Sequence, residues 1–208
     1  MSGIAGGTLL VATHNAGKLA EFARMLAPLG IACRSAAELG LPEPEETEES
    51  FLGDARIKAH AALLATGLPA LADDSGLEID ALDGAPGVRT ADWAQTPSGR
   101  DFGQAMARAW AALDAAQAPE PRRARFRCTL VLARPGADDV SFDGAVAGRL
   151  VWPPRGAAGH GFDPMFEPDG HDRTFAEMAP AEKDAISHRA AALRQLTAWF
   201  AGADGRAP

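Results

Sequence analysis

The chain has 208 residues, 47% hydrophobic and 23% charged, so it can bury a core without disulfide staples and fits one domain, or one domain with two lobes. Its net charge of -8 repels nucleic-acid backbone and anionic membrane alike, so a phosphate-bearing ligand must be small and met by a local basic site. Cys33 and Cys128 lack metal-ligand spacing and read as reduced core thiols, residues 1–7 hold no basic segment of a signal peptide, and no apolar run approaches the roughly 20 residues of a membrane span. A cytoplasmic protein that engages neither a nucleic-acid polymer nor a membrane is expected.

The continuous apolar run Thr8–Ala12 marks a strand buried on both faces. A helix follows from about Ala16 to Ala27, with Leu19, Phe22, Ala23 and Leu26 on one face. Ile31–Ser35 reads as a second strand and the acidic Leu41–Glu49 as a loop. Ser50–Thr66 reads as a helix whose apolar face is Phe51, Leu52, Ala55, Ala59, Ala62 and Leu63, with His60 on the far side. Gly67–Ala72 reads as a buried strand that stops at Asp73 and Asp74 and a Ser75-Gly76 turn. After the turn-rich Leu82–Val88 come a helix over Phe102–Gln117, a strand over Phe126–Leu132, a turn at Pro135–Asp138 and a strand over Val140–Val151. Trp152–Glu182 is irregular, and a last helix runs from about Ser187 to Ala201. Mixed strands and helices place the chain in the α/β class, with a partly antiparallel sheet. A core over 7–201 is expected, with flexible ends at 1–6 and 202–208.

Four segments carry side chains with both a structural and a chemical reading. Adjacent carboxylates in low dielectric raise each other's pKa, so Asp73-Asp74 is either an acidic turn or a site where Mg²⁺ relieves the repulsion while holding substrate phosphates. The loop Thr13-His14-Asn15-Ala16-Gly17-Lys18 is a plain turn or an anion site, with a helix N-terminus and the Lys18 charge to attract phosphate; it is not a Walker A loop. Lys58 falls at the edge of a buried helix face, as a snorkelling lysine or one aimed into a cleft. The nearby Glu45 and Glu46 are solvated, or one of them joins Asp74 on a metal.

Arg189 projects into the stripe of Leu193, Leu196 and Phe200, in a first turn that Ser187 caps and His188 shares, with Lys183 just before it. A guanidinium there needs a salt bridge, a bound polyanion or a base. In Gly159-His160-Gly161-Phe162-Asp163-Pro164 the glycines allow a flat ligand near the backbone, His160 or Phe162 can stack on it, and Asp163 can accept from its edge. A buried turn with packed aromatics is the competing reading.

Together, in this order along the chain, these motifs resemble the inosine triphosphate pyrophosphatase family, house-cleaning nucleotidases that hydrolyse non-standard purine nucleoside triphosphates. The resemblance runs from about Leu9 to Phe200 and is carried by Thr13-His14-Asn15-Ala16-Gly17-Lys18, Asp73-Asp74-Ser75-Gly76-Leu77, Gly159-His160-Gly161-Phe162-Asp163-Pro164 and Ser187-His188-Arg189. It implies an elongated mixed β-sheet flanked by helices, two lobes enclosing a nucleotide cleft, and a homodimer. It also implies that Thr13, Asn15, Lys18 and Lys58 hold the triphosphate, that Glu46 and Asp74 bind Mg²⁺, and that Asp74 activates water. Ser75, His160, Phe162, Asp163, Lys183, His188 and Arg189 would surround the base and sugar-phosphate. Cleavage between the α and β phosphates gives a nucleoside monophosphate and pyrophosphate.

Phosphoryl hydrolysis needs a metal, a few cations and an oriented water, all of which these residues can supply. Two other readings stand beside it: a less selective nucleotide phosphohydrolase, and a non-catalytic nucleotide-binding protein. Retention of Asp74, Lys18 and Glu46 together argues against the second, because binding alone does not require a metal-paired base.

Overall fold

The computed structural model describes residues 7–203. The flexible ends expected at 1–6 and 204–208 lie outside the described residues, whereas Gly202 and Ala203 continue the last helix. In chain order the elements are β1 (Thr8–Val11), α1 (Ala16–Leu26), β2 (Ala32–Ser35), α2 (Phe51–Thr66), β3 (Ala70–Ile79), β4 (Pro86–Gly87), β5 (Gln95–Thr96) and β6 (Gly99–Arg100). Then come α3 (Phe102–Ala115), β7 (Arg123–Arg134), β8 (Ala137–Leu150), β9 (Phe166–Pro168), α4 (Pro180–Ile186) and α5 (His188–Ala203). The main sheet has the hydrogen-bonding order β2-β1-β3-β7-β8-β9, with β4 on β3. Its β1–β2 and β1–β3 pairs are parallel, and its β3–β4 and β8–β9 pairs antiparallel, the mixed α/β class expected.

The chain forms two compact units. Among the described residues the first holds 7–74, 128–144 and 191–203. β1 and the first half of β3 are buried on both faces, as their continuous apolar runs require, whereas the edge strand β2 leaves Ala32 and Arg34 exposed. Side chains alternate along a strand, so Leu9, Val11 and Leu71 join Phe22 and Leu26 of α1 and Leu193 and Leu196 of α5 in one cluster. Leu10, Ala70 and Ala72 face the other way, to Ala55, Ala59 and Ala62 of α2. Small residues dominate that second interface and let the helix lie close to the sheet.

The second unit holds residues 75–127 and 145–190. Its core gathers Leu77 and Ile79 of β3, Ala105, Ala109 and Leu113 of α3, and the aromatic group Phe126, Phe162, Phe166 and Phe175. Phe126 meets Phe166 edge-on at 4.7 Å, a favoured aromatic geometry.

Three sequence expectations are corrected here. The strand does not stop at Asp73; β3 runs on to Ile79, with Leu77 and Ile79 fully buried, because both carboxylates find lysine partners and need no exit to water. On α2, Leu52 is 37% exposed while Asp54 is buried. The irregular Trp152–Glu182 segment contains β9 and α4 begins within it. Short strands such as β4 and β9 have too few residues to carry a period, so pairing partners alone define them.

Candidate active site

The start of α1 shapes the first cluster. Asn15 is its N-cap: Oδ1 accepts from the N–H groups of Gly17 at 2.8 Å and Lys18 at 3.1 Å, while the Asn15 N–H donates to Thr13 Oγ1 at 3.1 Å. The N–H groups of Gly17 and Lys18 are thus taken by the cap. What the turn directs is side chains. Thr13 is buried, His14 is exposed with Nε2 2.8 Å from the Leu41 carbonyl oxygen, and Lys18 points back along the strand end.

Strand parity sorts the carboxylates. Asp73 lies on the Leu71 face, toward α1, and its two oxygens accept from Lys18 Nζ at 3.1 and 2.9 Å. Asp74 lies on the Ala72 face, toward α2, and its Oδ1 accepts from Lys58 Nζ at 2.9 Å. Lys58 does not snorkel; it is buried, and Glu46 Oε1 reaches the same ammonium at 2.8 Å. Of the two acids considered in the loop, Glu46 is the one placed at Lys58.

Two carboxylates thus contact one buried ammonium, and Asp73 acts on it through its charge from the other face of the strand. Burial, partly opposed by Lys58, pushes the Asp74 carboxyl up to about 6, with Glu46 and Asp73 adding to the rise. Burial also works against the Lys58 charge, yet Asp74, Asp73 and Glu46 together hold its pKa above the ordinary lysine value.

The donor set fits a hard divalent cation. Asp74 Oδ2 is buried without a hydrogen-bond partner, and the Glu46 side chain is 41% exposed. Among the described residues no three carboxylate, histidine or cysteine groups gather as a self-sufficient metal cage. Mg²⁺ does not demand one, because it keeps waters and substrate phosphates in its shell beside one or two carboxylates.

The second cluster lies within the second unit. Asp163 is 2% exposed, and its Oδ2 accepts from the His160 backbone N–H at 2.6 Å and from Lys183 Nζ. Gly159, at φ 78°, leaves the space this carboxylate fills; a Cβ there would collide with Asp163 Oδ2. Lys183 stands 5.4 Å from the Phe175 ring centroid. His188 is buried and stacks on Phe126 at 5.0 Å and 16° between planes, while Arg189 is half-buried beside it. Ser187 Oγ accepts from the Ala190 N–H at 3.1 Å, the cap expected.

The cluster holds one correction. Phe162 is fully buried, edge-on to Phe102 at 6.0 Å, so its ring serves the core rather than standing free to stack on a ligand. His160 is exposed, Gly161 takes a φ of 67°, and Ser75 is half-buried on β3. Sequence reading missed Phe126 and Phe175, the aromatic floor beneath His188 and Lys183; no motif marks them, and only tertiary packing brings them there.

A mixed α/β fold that sets two lysines against adjacent strand carboxylates, one on each face, gathers the charges that a phosphate group and a divalent cation would need. The family model described as Ham1 family matches residues 9–199, and the chain belongs to that family. It is 65% identical to a dITP/XTP pyrophosphatase of Ruegeria pomeroyi over 92% of this chain and 94% of the relative. A dITP/XTP pyrophosphatase of Rhodospirillum centenum is 56% identical, over 93% and 95%. The solved structure of a HAM1 protein from Coxiella burnetii superposes with a TM-score of 0.86 at 39% identity, covering 93% of this chain and 98% of that one.

Proposed function

We propose that this chain hydrolyses non-standard purine nucleoside triphosphates (dITP, XTP and ITP) to the nucleoside monophosphate and pyrophosphate, and so cleanses the nucleotide pool. The activity named for its relatives supports the reading. The observation that carries it is Asp74, a buried carboxylate with Oδ1 on Lys58 and Oδ2 without a partner.

In this reading Lys18 and Lys58 turn from the carboxylates to the phosphate oxygens, Thr13 donates its hydroxyl proton, and Asn15 keeps the helix start that aims Lys18. Glu46 and Asp74 would hold Mg²⁺, which when bound polarises a phosphate and acidifies a coordinated water. Asp74 takes the proton of the attacking water as the bond between the α and β phosphates breaks. The base belongs to the second cluster: Asp163, Lys183, His188 and Arg189 meet the 6-oxo edge, with His160, Gly161 and Ser75 near the base and sugar-phosphate. A 6-amino purine leaves partners there unmet, at about 1–3 kcal/mol each. Asp73 supports Lys18. We further assign the chain, with its core at 7–201, to one catalytic domain acting as a cytoplasmic homodimer. No helix among the described residues is long and apolar enough to cross a membrane.

Pyrophosphate release from ITP, XTP, dITP, GTP and ATP with Mg²⁺ tests this. Turnover of none of them overturns the enzyme reading, and equal rates on ITP and ATP overturn the selectivity.

A further inference from the structure

Glu46 stands on a stretch without regular structure, residues 41–48, yet it must be held beside Lys58 if it is to act there. At one end of that stretch Leu41 is tied by its N–H to the Ala36 carbonyl at 3.0 Å. At the other end the tie comes from α2. Asp54 is 3% exposed, and its Oδ1 accepts from the Glu48 N–H at 3.0 Å. Asp54 is not needed as the cap of its own helix, since Ser50 is the N-cap and accepts from the Gly53 N–H at 3.1 Å. Gly53 completes the junction by leaving space. A Cβ on it would lie 2.5 Å from Glu48 Cβ and 2.6 Å from Cγ, too close without a shift of the loop.

We propose that Asp54 is a positioning residue which, with the space left by Gly53, pins the acidic loop at Glu48 and so keeps Glu46 beside Lys58 and Asp74. The proposal rests on the reading of Glu46 as a metal-holding carboxylate. Only Thr47 separates the pinned amide from Glu46, so the Cα of Glu46 stays within about 7 Å of that of Glu48. A pin at one residue therefore sets the reach of the other. The useful property of Asp54 is its acceptor oxygen. Its charge adds to a neighbourhood already crowded by Glu46 and Glu48, so asparagine should serve as well.

The test uses the full chain with Asp54→Asn, Asp54→Ala and Glu46→Gln. It reads amide hydrogen exchange at Glu48, binding of Mn²⁺ alone by calorimetry, and kcat and KM on ITP. Asp54→Asn should stay within about twofold of the parent on every measure, because the Oδ1 acceptor is kept. Asp54→Ala should unfold cooperatively, exchange the Glu48 amide at least tenfold faster, bind Mn²⁺ roughly five- to tenfold more weakly and lower kcat with little change in KM. Parent-like Glu48 exchange and Mn²⁺ affinity in Asp54→Ala overturn the proposal, as does Asp54→Asn failing as badly as Asp54→Ala. Glu46→Gln separates the two ideas: unchanged Mn²⁺ affinity there overturns the metal role of Glu46, while fast Glu48 exchange in Asp54→Ala still upholds the pin.

Discussion

At the scale of single residues, the chemistry rests on how differently two neighbouring aspartates are treated. Asp73 gives both oxygens to Lys18, whereas Asp74 gives one to Lys58 and keeps the other unpartnered. Replacing Asp74 by asparagine keeps the shape and removes the proposed proton acceptor. Turnover of ITP should fall by about 10²–10⁴, the usual worth of a general base, while the nucleotide still binds in calorimetry. Substantial residual pyrophosphate release would assign the base elsewhere. The pH profile follows from the same environment. With the Asp74 carboxyl raised to about 6, its proton-accepting form is lost as pH falls through that value. In the metal-free protein a carboxyl titration followed by NMR should show this raised value, and added Mg²⁺ should shift it down; a metal-free value in the ordinary carboxylate range would contradict this account of the environment. Sequence reading found both aspartates, and strand parity alone puts adjacent residues on opposite faces. Which lysine met which carboxylate was not legible, because Lys18 and Lys58 come from helices far apart in the chain.

At the scale of elements, two devices aim the side chains. The first is the Asn15 cap of α1. Asn15→Ala should cost about 1 kcal/mol of stability and lower turnover together, read as a shift in urea midpoint and in kcat. Unchanged turnover would show that Lys18 needs no such cap to stay in place. The second is the turn at Gly159, whose positive φ and missing Cβ make room for Asp163. Gly159→Ala should displace Asp163 from the His160 amide and from Lys183, raising KM for ITP more than it lowers kcat. The last helix taught a lesson in degree: its Ser187 start was legible as a cap, but burial fell on His188, stacked on Phe126, with Arg189 only half-buried. Helical periodicity places a residue on a face, whereas the depth of that face depends on what packs against it.

At the scale of the whole molecule, the chain passes from its first unit to its second between Asp74 and Ser75. The lysine–carboxylate cluster belongs to the first unit, and the Asp163, Lys183 and His188 cluster to the second. Substitutions should divide accordingly. Lys58→Met is expected to lower kcat on all triphosphates alike, since it removes a charge proposed to meet the phosphates. Lys183→Met should compress the preference for ITP over ATP by about tenfold, one lost polar contact, and change kcat on ATP little. Equal effects of both variants on the ITP to ATP ratio would show that base reading is not confined to the second cluster.

The amino-acid sequence by itself determined the α/β class, a first helix from about Ala16, the cap at Ser187 and the residues with chemistry to offer, because caps, apolar periods and charged anomalies are local. It did not determine that β3 continues past Asp74, that Phe162 is core, or that Asp54 turns inward to hold Glu48. Those outcomes follow from partners brought together across the fold: a lysine that neutralises a strand carboxylate, an aromatic group that closes over a ring, and a backbone amide that meets a buried oxygen. Burial and ion pairing act between residues distant in sequence, so only the tertiary structure could decide them.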